Sequence, residues 1–249
     1  MDPVFFSVML GGALVAGFVS GLTGLGTALI ALSLWLFVAE PAFAVPIAAT
    51  IAVACHVTTL AFVRRGVVWA RLKPFLIGGL VGLPAGVLLL PLLDRETVKL
   101  GLGLFLVAYC SYGLLVRKPP LVRGGGRLAD GLVGAGGGFF GGLLSISGPL
   151  PTIWAGLRGW PKDEQRGVYQ PFNLIVLLTA AVGHYASGRV AAADAGLILG
   201  ATLAAVLGAL AGLAVYRRAS DAQFRRYVLG MLLLAGVSLT AERAAALIG

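Results

Sequence analysis

The chain has 249 residues, of which 59% are hydrophobic and 12% charged, and its mean hydropathy is +0.96. Soluble domains carry about 25% charged residues, so this composition argues against a soluble enzyme, a disordered chain or a secreted disulfide scaffold. The net charge of +9 does not point to nucleic acid, because the basic residues collect in short segments between apolar runs.

Those uncharged runs cover residues 3–39, 41–63, 74–93, 100–116, 131–157, 167–188, 195–216 and 227–241. A helix needs about 20 apolar residues to cross a hydrocarbon core of about 30 Å, and six of the runs fit one crossing each. Run 3–39 is nearly twice the needed length. It is interrupted by Ser20-Gly21-Leu22-Thr23-Gly24-Leu25-Gly26-Thr27, and run 131–157 by Ser145-Ile146-Ser147-Gly148-Pro149. Lys and Arg gather in cytoplasmic loops. Folding 131–157 back as a hairpin puts fifteen of the 19 Lys and Arg on one side and leaves Arg95, Lys99, Arg189 and Arg243 on the other. A single crossing would divide them ten to nine, so the hairpin is expected. Residues 1–39 contain no Lys or Arg to fix the course of the first run, and that also speaks against a cleaved signal peptide. Cys55 and Cys110 lie in apolar runs and read as buried thiols.

A shift of 122 residues places Gly26 on Gly148, Gly66 on Gly188 and Gly86 on Gly208. The basic segment 64–73 then matches the nearly neutral 188–194, and the neutral 94–99 matches the basic 216–226. Equivalent elements therefore face opposite sides. Inversion needs an odd number of passes per half, which makes 3–39 a hairpin as well. The expected fold is an all-α polytopic membrane protein with two inverted-topology repeats. Each is a broken (hairpin) helix pair of two short arms followed by three transmembrane helices. The repeats span 1–116 and 129–249, joined by a cytoplasmic linker at 117–128 with Pro119-Pro120 and Gly124-Gly125-Gly126. The expected location is the cell inner membrane, with both termini periplasmic.

In the order of these breaks, spans and loops the sequence resembles the sulfite exporter TauE/SafE family of membrane permeases. The resemblance rests on Gly21–Gly26, Pro41–Ala44, Gly66-Val67-Val68-Trp69 with Lys73-Pro74, Gly141–Pro149, and the loop from Leu157 to Gly167 leading into the helix that carries Phe172. It implies export or uptake of a small anion, often sulfite, a sulfonate or another organosulfur compound.

Non-helical backbone at membrane depth is tolerated only where protein buries it or water reaches it. One such break per half is the best sequence pointer to a transporter site. Arms starting near Gly26 and Gly148 would each present free N–H groups and the positive end of a dipole, which favour an anion without a buried cation. Pro149 suits a first helical position. The candidate substrate-binding residues are Thr23, Gly24, Gly26 and Thr27 in one break and Ser145, Ser147, Gly148 and Pro149 in the other. Hydroxyls supply donors, and glycine allows close approach. Gln170 and Asn173, one turn apart, with Tyr169 and Arg166 nearby, either line the anion path or tie helices together. Thr50 and His56 occupy the partner helix of the first half, while His184 reads as a membrane-edge residue without a role.

No Asp or Glu falls inside a span, so a carboxylate proton relay is not expected. No Walker motif, HExxH or Cys/His cluster occurs, and no enzyme activity, catalytic residue, metal or cofactor is expected. Gly136, Gly138 and Gly141 match GxGxxG without a preceding strand, which argues against a dinucleotide site. Gly78, Gly82 and Gly86, with Gly208 and Gly212, suit close helix packing within a subunit or in a homodimer. Trp69, Trp154 and Trp160 suit interfacial anchors. The expected partners are a small anionic substrate and membrane lipid, without nucleic acid. The expected function is secondary transport by alternating access; a channel using the same breaks as a selectivity constriction, or a membrane-embedded scaffold, is the alternative.

Overall fold

A computed structural model describes residues 3–60, 67–116, 121–122, 124–216, 229–230, 232–234 and 236–241. Its helices, in chain order, are α1 (Pro3–Thr23), α2 (Thr27–Trp35), α3 (Pro41–Leu60), α4 (Trp69–Leu89), α5 (Arg95–Leu115), α6 (Gly126–Leu144), α7 (Pro149–Leu157), α8 (Lys162–Ala186) and α9 (Ala195–Tyr216). The described positions from 229 to 241 are helical as well, and no strand occurs among the described residues. Among the described residues, five helices are long and apolar enough to cross a membrane. Their outward faces are apolar: Ile77, Val81 and Leu88 on α4 and Leu199, Leu203 and Leu207 on α9 are each more than half exposed. Such stripes at helical spacing are what lipid requires of a surface. The fold is that of a polytopic membrane protein.

Both long runs fold back on themselves. Trp35 at the end of α2 donates its indole N–H to Met9 O of α1 at 3.1 Å. Trp154 of α7 reaches Asp130 near the start of α6 at 2.7 Å, Val122 N–H donates to Leu157 O at 2.7 Å, and Arg158 donates to Gly124 O at 2.6 Å. The expectation of two short arms needs correction. α1 and α6 have 21 and 19 residues, and only α2 and α7, at nine each, are short. The unequal lengths follow from the partners: α1 packs along α9 and α6 along α4, and each partner is a full-length crossing.

That packing is backbone on backbone. A Cβ at Gly17 or Gly21 would overlap the carbonyls of Ala205 and Ala209, and one at Gly208 or Gly212 those of Leu14 and Phe18. In the other pair, Gly138 and Gly142 meet Gly79 and Leu83, while Gly82 and Gly86 meet Ala135 and Phe139. The two sets correspond, Gly17 to Gly138 and Gly21 to Gly142 at 121 residues, Gly82 to Gly208 and Gly86 to Gly212 at 126. The sequence match of Gly86 to Gly208 is therefore one helical turn out of register. The offset between the halves grows from 121 residues at α1 and α6 to 126 at α4 and α9, and glycines four apart look alike in sequence. These glycine faces are occupied within the chain.

The remaining contacts exchange in the same way, α3 with α9 and α8 with α4, while α3 and α8 meet each other. Val68 N–H at the start of α4 donates to Gly167 O at 3.2 Å, a carbonyl left free because Pro171 lacks the N–H that would claim it. Arg71, Lys73, Arg127, Arg158 and Arg166 thus lie toward one end of the molecule. Arg95, Lys99 and Arg189 lie at the other, where Arg95 donates to Leu36 O at 2.6 Å. Arg189 donates to Val87 O at 2.9 Å and stands 2.7 Å from His184 Nδ1. Burial lowers the Arg189 pKa from its ordinary value. His184, expected to be idle, is fully buried in this clasp. Arg64, Arg65, Arg117, Lys118, Arg123, Arg217, Arg218, Arg225, Arg226 and Arg243, together with Gly66 and Pro119-Pro120, lie outside the described residues. Cys55 and Cys110 are free and buried.

Candidate functional site

α1 stops where Gly24 and Gly26 adopt φ of 75° and 96°, a region that residues with a Cβ avoid. Thr23 braces the turn: its hydroxyl stands 2.9 Å from Val19 O and 2.6 Å from Leu25 O. α2 then begins at Thr27, with Gly26 as N-cap and no side chain on its first N–H groups. In the second break, Ser145 sits at φ 58° and donates its hydroxyl to Val45 O of α3 at 2.9 Å. Ser147 donates to Asn173 Oδ1 of α8 at 2.9 Å, and α7 begins at Pro149 behind Gly148, again without a side-chain cap.

The two helix starts differ as donors. In α2 the N–H groups of Thr27, Ala28 and Leu29 precede the first intrahelical bond, Ile30 N–H to Gly26 O. In α7, Pro149 and Pro151 have no N–H, so Leu150 alone contributes from the first turn, after Ser147 and Gly148. Free N–H groups were expected from both arms; the second offers fewer because of its prolines.

Both corners open on one narrow cavity of about 20 Å³, room for about one water. Gly26, Thr27, Ser145, Ser147, Gly148, Pro149, His56 and Asn173 line it, with the apolar Leu25, Ala52, Ile146 and Leu177. The lining is contributed in pairs by the two halves: Ala52 with Asn173 and His56 with Leu177 at 121 residues, Gly26 with Gly148 and Thr27 with Pro149 at 122. His56 Nδ1 is buried here without a hydrogen-bond partner among the described residues, and Thr27 Oγ1 lies beside the Cys55 thiol. No Lys, Arg, Asp or Glu lines the cavity among the described residues.

Four candidate residues stand off it. Thr23 spends its hydroxyl on the break itself. Gly24 lies against α8, where a Cβ would come 2.7 Å from Gln170 Nε2, 3.1 Å from Arg166 Nη2 and 3.5 Å from the Tyr169 hydroxyl. Gln170 therefore faces the first break from outside the cavity. Thr50 bonds Pro46 O at 2.9 Å and the Tyr185 hydroxyl at 3.0 Å. Leu25, Ala52 and Leu177 carry no chemical signal in sequence, and only their helical spacing from His56 and Asn173 could have marked them.

A family model described as Sulfite exporter TauE/SafE matches residues 9–239. No curated protein and no solved structure matches the chain.

Proposed function

The chain belongs to the sulfite exporter TauE/SafE family, whose members are membrane transporters and not enzymes, and we propose that it carries a small anion, sulfite or an organosulfur anion, by alternating access with the anion held between the two breaks. The observation that carries this reading is the shared cavity, where two uncapped helix starts, Thr27 and the buried His56 converge with no cationic side chain in the lining among the described residues. Each helix start is worth up to about half a positive charge, so together they approach the charge needed to hold a monoanion. Three N–H groups from α2, those of Ser147 and Gly148, and the Asn173 amide suit an oxyanion with several acceptor oxygens. Carboxylates, which would repel it, are absent from the lining among the described residues.

The exchange of contacts between halves supports two inverted repeats, 1–116 and 129–249, about an axis through the cavity. The glycine-packed pairs α1–α9 and α4–α6 then act as rigid bodies. Rocking one against the other opens the cavity to one side at a time. The basic end, with Arg71, Lys73, Arg127, Arg158 and Arg166, faces the cytoplasm of an inner membrane, which leaves the termini periplasmic. A potential negative inside drives anion exit by about 2.3 kcal/mol per charge per 100 mV.

The test is flux in proteoliposomes with sulfite, thiosulfate, sulfonates and carboxylates as competitors, for wild type and for Gly26→Leu and Thr27→Val. A Leu at 26 meets no neighbour closer than Val19 Cγ1 at 3.9 Å, but the φ of 96° strains any side chain there, so Thr27→Val, which leaves the backbone alone, is the variant whose loss of flux carries the test. Loss of flux in a protein that still folds supports the reading. Flux at normal half-saturation in Gly26→Leu refutes it.

A further inference from the structure

The helix that supplies Asn173 carries more polar chemistry than the cavity uses. Arg166, Tyr169, Gln170 and Asn173 follow the spacing i, i+3, i+4, i+7, which places them on one face of α8. Asn173 lines the cavity. One turn toward the basic end, Gln170 and Tyr169 are buried, at 2% and 6% exposure, and both lie against Gly24 of the first break together with half-buried Arg166. Gln170 Oε1 has no hydrogen-bond partner among the described residues. An amide, a phenol and a guanidinium thus converge between the basic end and the cavity.

The other half lacks this arrangement. The residues 121 positions earlier, the offset that relates Asn173 to Ala52 in the cavity wall, are Val45, Ala48, Ala49 and Ala52 on α3. All four are buried and apolar. A two-fold fold with one cationic, polar approach and one aliphatic approach does not treat its two sides alike.

We propose that Arg166, Tyr169 and Gln170, gathered against Gly24, form a loading subsite that takes a small oxyanion from the basic side before it passes to the cavity. The proposal rests on the anion-binding reading of the cavity. Arg166 supplies the full charge that the cavity lacks, and its fork geometry suits an oxyanion. Gln170 turns its amide Nε2, a donor, toward Gly24, where that charge is partly stripped of water. Gly24 keeps the subsite open, since any side chain there would sit on Gln170 Nε2.

The experiment measures sulfite transport by the full chain in oriented proteoliposomes, with sulfite added to either face, for wild type, Arg166→Gln, Arg166→Lys and Gly26→Leu. Arg166→Gln is expected to raise half-saturation on the basic face about tenfold and leave the opposite face within twofold. Arg166→Lys, which keeps the charge and loses the fork, falls between wild type and Arg166→Gln on the basic face, a graded result that a loss of fold would not give. Raising ionic strength weakens half-saturation on the basic face in wild type and not in Arg166→Gln. Equal half-saturation of Arg166→Gln and wild type on the basic face, with Gly26→Leu inactive, overturns the subsite and leaves the cavity standing. Normal flux in Gly26→Leu instead removes the cavity reading on which the subsite depends.

Discussion

Gly148→Ala offers a quantitative probe of the second corner. Gly148 has φ −76° and ψ −38°, so alanine suits its backbone, and the effect comes from space alone. A Cβ there stands 2.8 Å from Asn173 Nδ2, too close, and the amide must swing away. It then loses the 2.9 Å bond from Ser147 and its place in the cavity wall. A buried hydrogen bond lost with its partner left unsatisfied costs about 1–3 kcal/mol, or roughly five- to 150-fold in anion affinity if the cost falls on the bound state. Asn173→Ala removes the obstacle along with the amide. In Gly148→Ala/Asn173→Ala the first substitution should therefore add less than about 0.5 kcal/mol. The assay is a double-mutant cycle on sulfite half-saturation in proteoliposomes, with thermal unfolding run beside it. Additive losses, with a coupling below about 0.5 kcal/mol, would show that Gly148 does not act through Asn173 and refute the reasoning.

Two further predictions concern the frame. Gly82→Ala puts a methyl into the Ala135 carbonyl and should destabilise the protein by about 2–3 kcal/mol, lowering the thermal midpoint. Gly11→Ala, in mid-helix with nothing within 4 Å of its Cβ, should leave stability unchanged or raise it by up to about 1 kcal/mol. Cysteines at Val122 and Leu157, whose backbones are joined by a 2.7 Å hydrogen bond, should cross-link readily in a background lacking Cys55 and Cys110. A chain crossing once between them would hold them about 40 Å apart and give no cross-link.

The hairpin at 131–157 was legible because fifteen basic residues on one side can be counted without knowing any contact. Arm lengths were not, since an uncharged run says where lipid begins and ends but not which partner a helix lies against. Asp130, one residue outside the charge-free run, ties α6 to α7 through Trp154, and nothing in sequence separates it from an ordinary boundary charge. At the site, the breaks announced themselves through glycine, serine and proline, and His56 and Asn173 stood out as polar residues in lipid. Helical spacing could not tell Thr50 from His56, because six residues along α3 turn the side chain to another neighbour. Nor could it tell Gln170 from Asn173, one turn apart on the same face: the first abuts Gly24 and the second Gly148. The glycine register slipped by a turn for a related reason. Small residues at i and i+4 repeat, and only the backbone contacts of Gly86 and Gly212 identify the equivalent turn.

The most direct measurement replaces sulfite with selenite, of the same shape and similar charge, and locates selenium by anomalous scattering in crystals of the transport-competent protein. The account places the peak within hydrogen-bonding reach of the Thr27 N–H and Asn173, between the starts of α2 and α7. A saturating selenite that competes for transport yet gives its peak away from both breaks would contradict it.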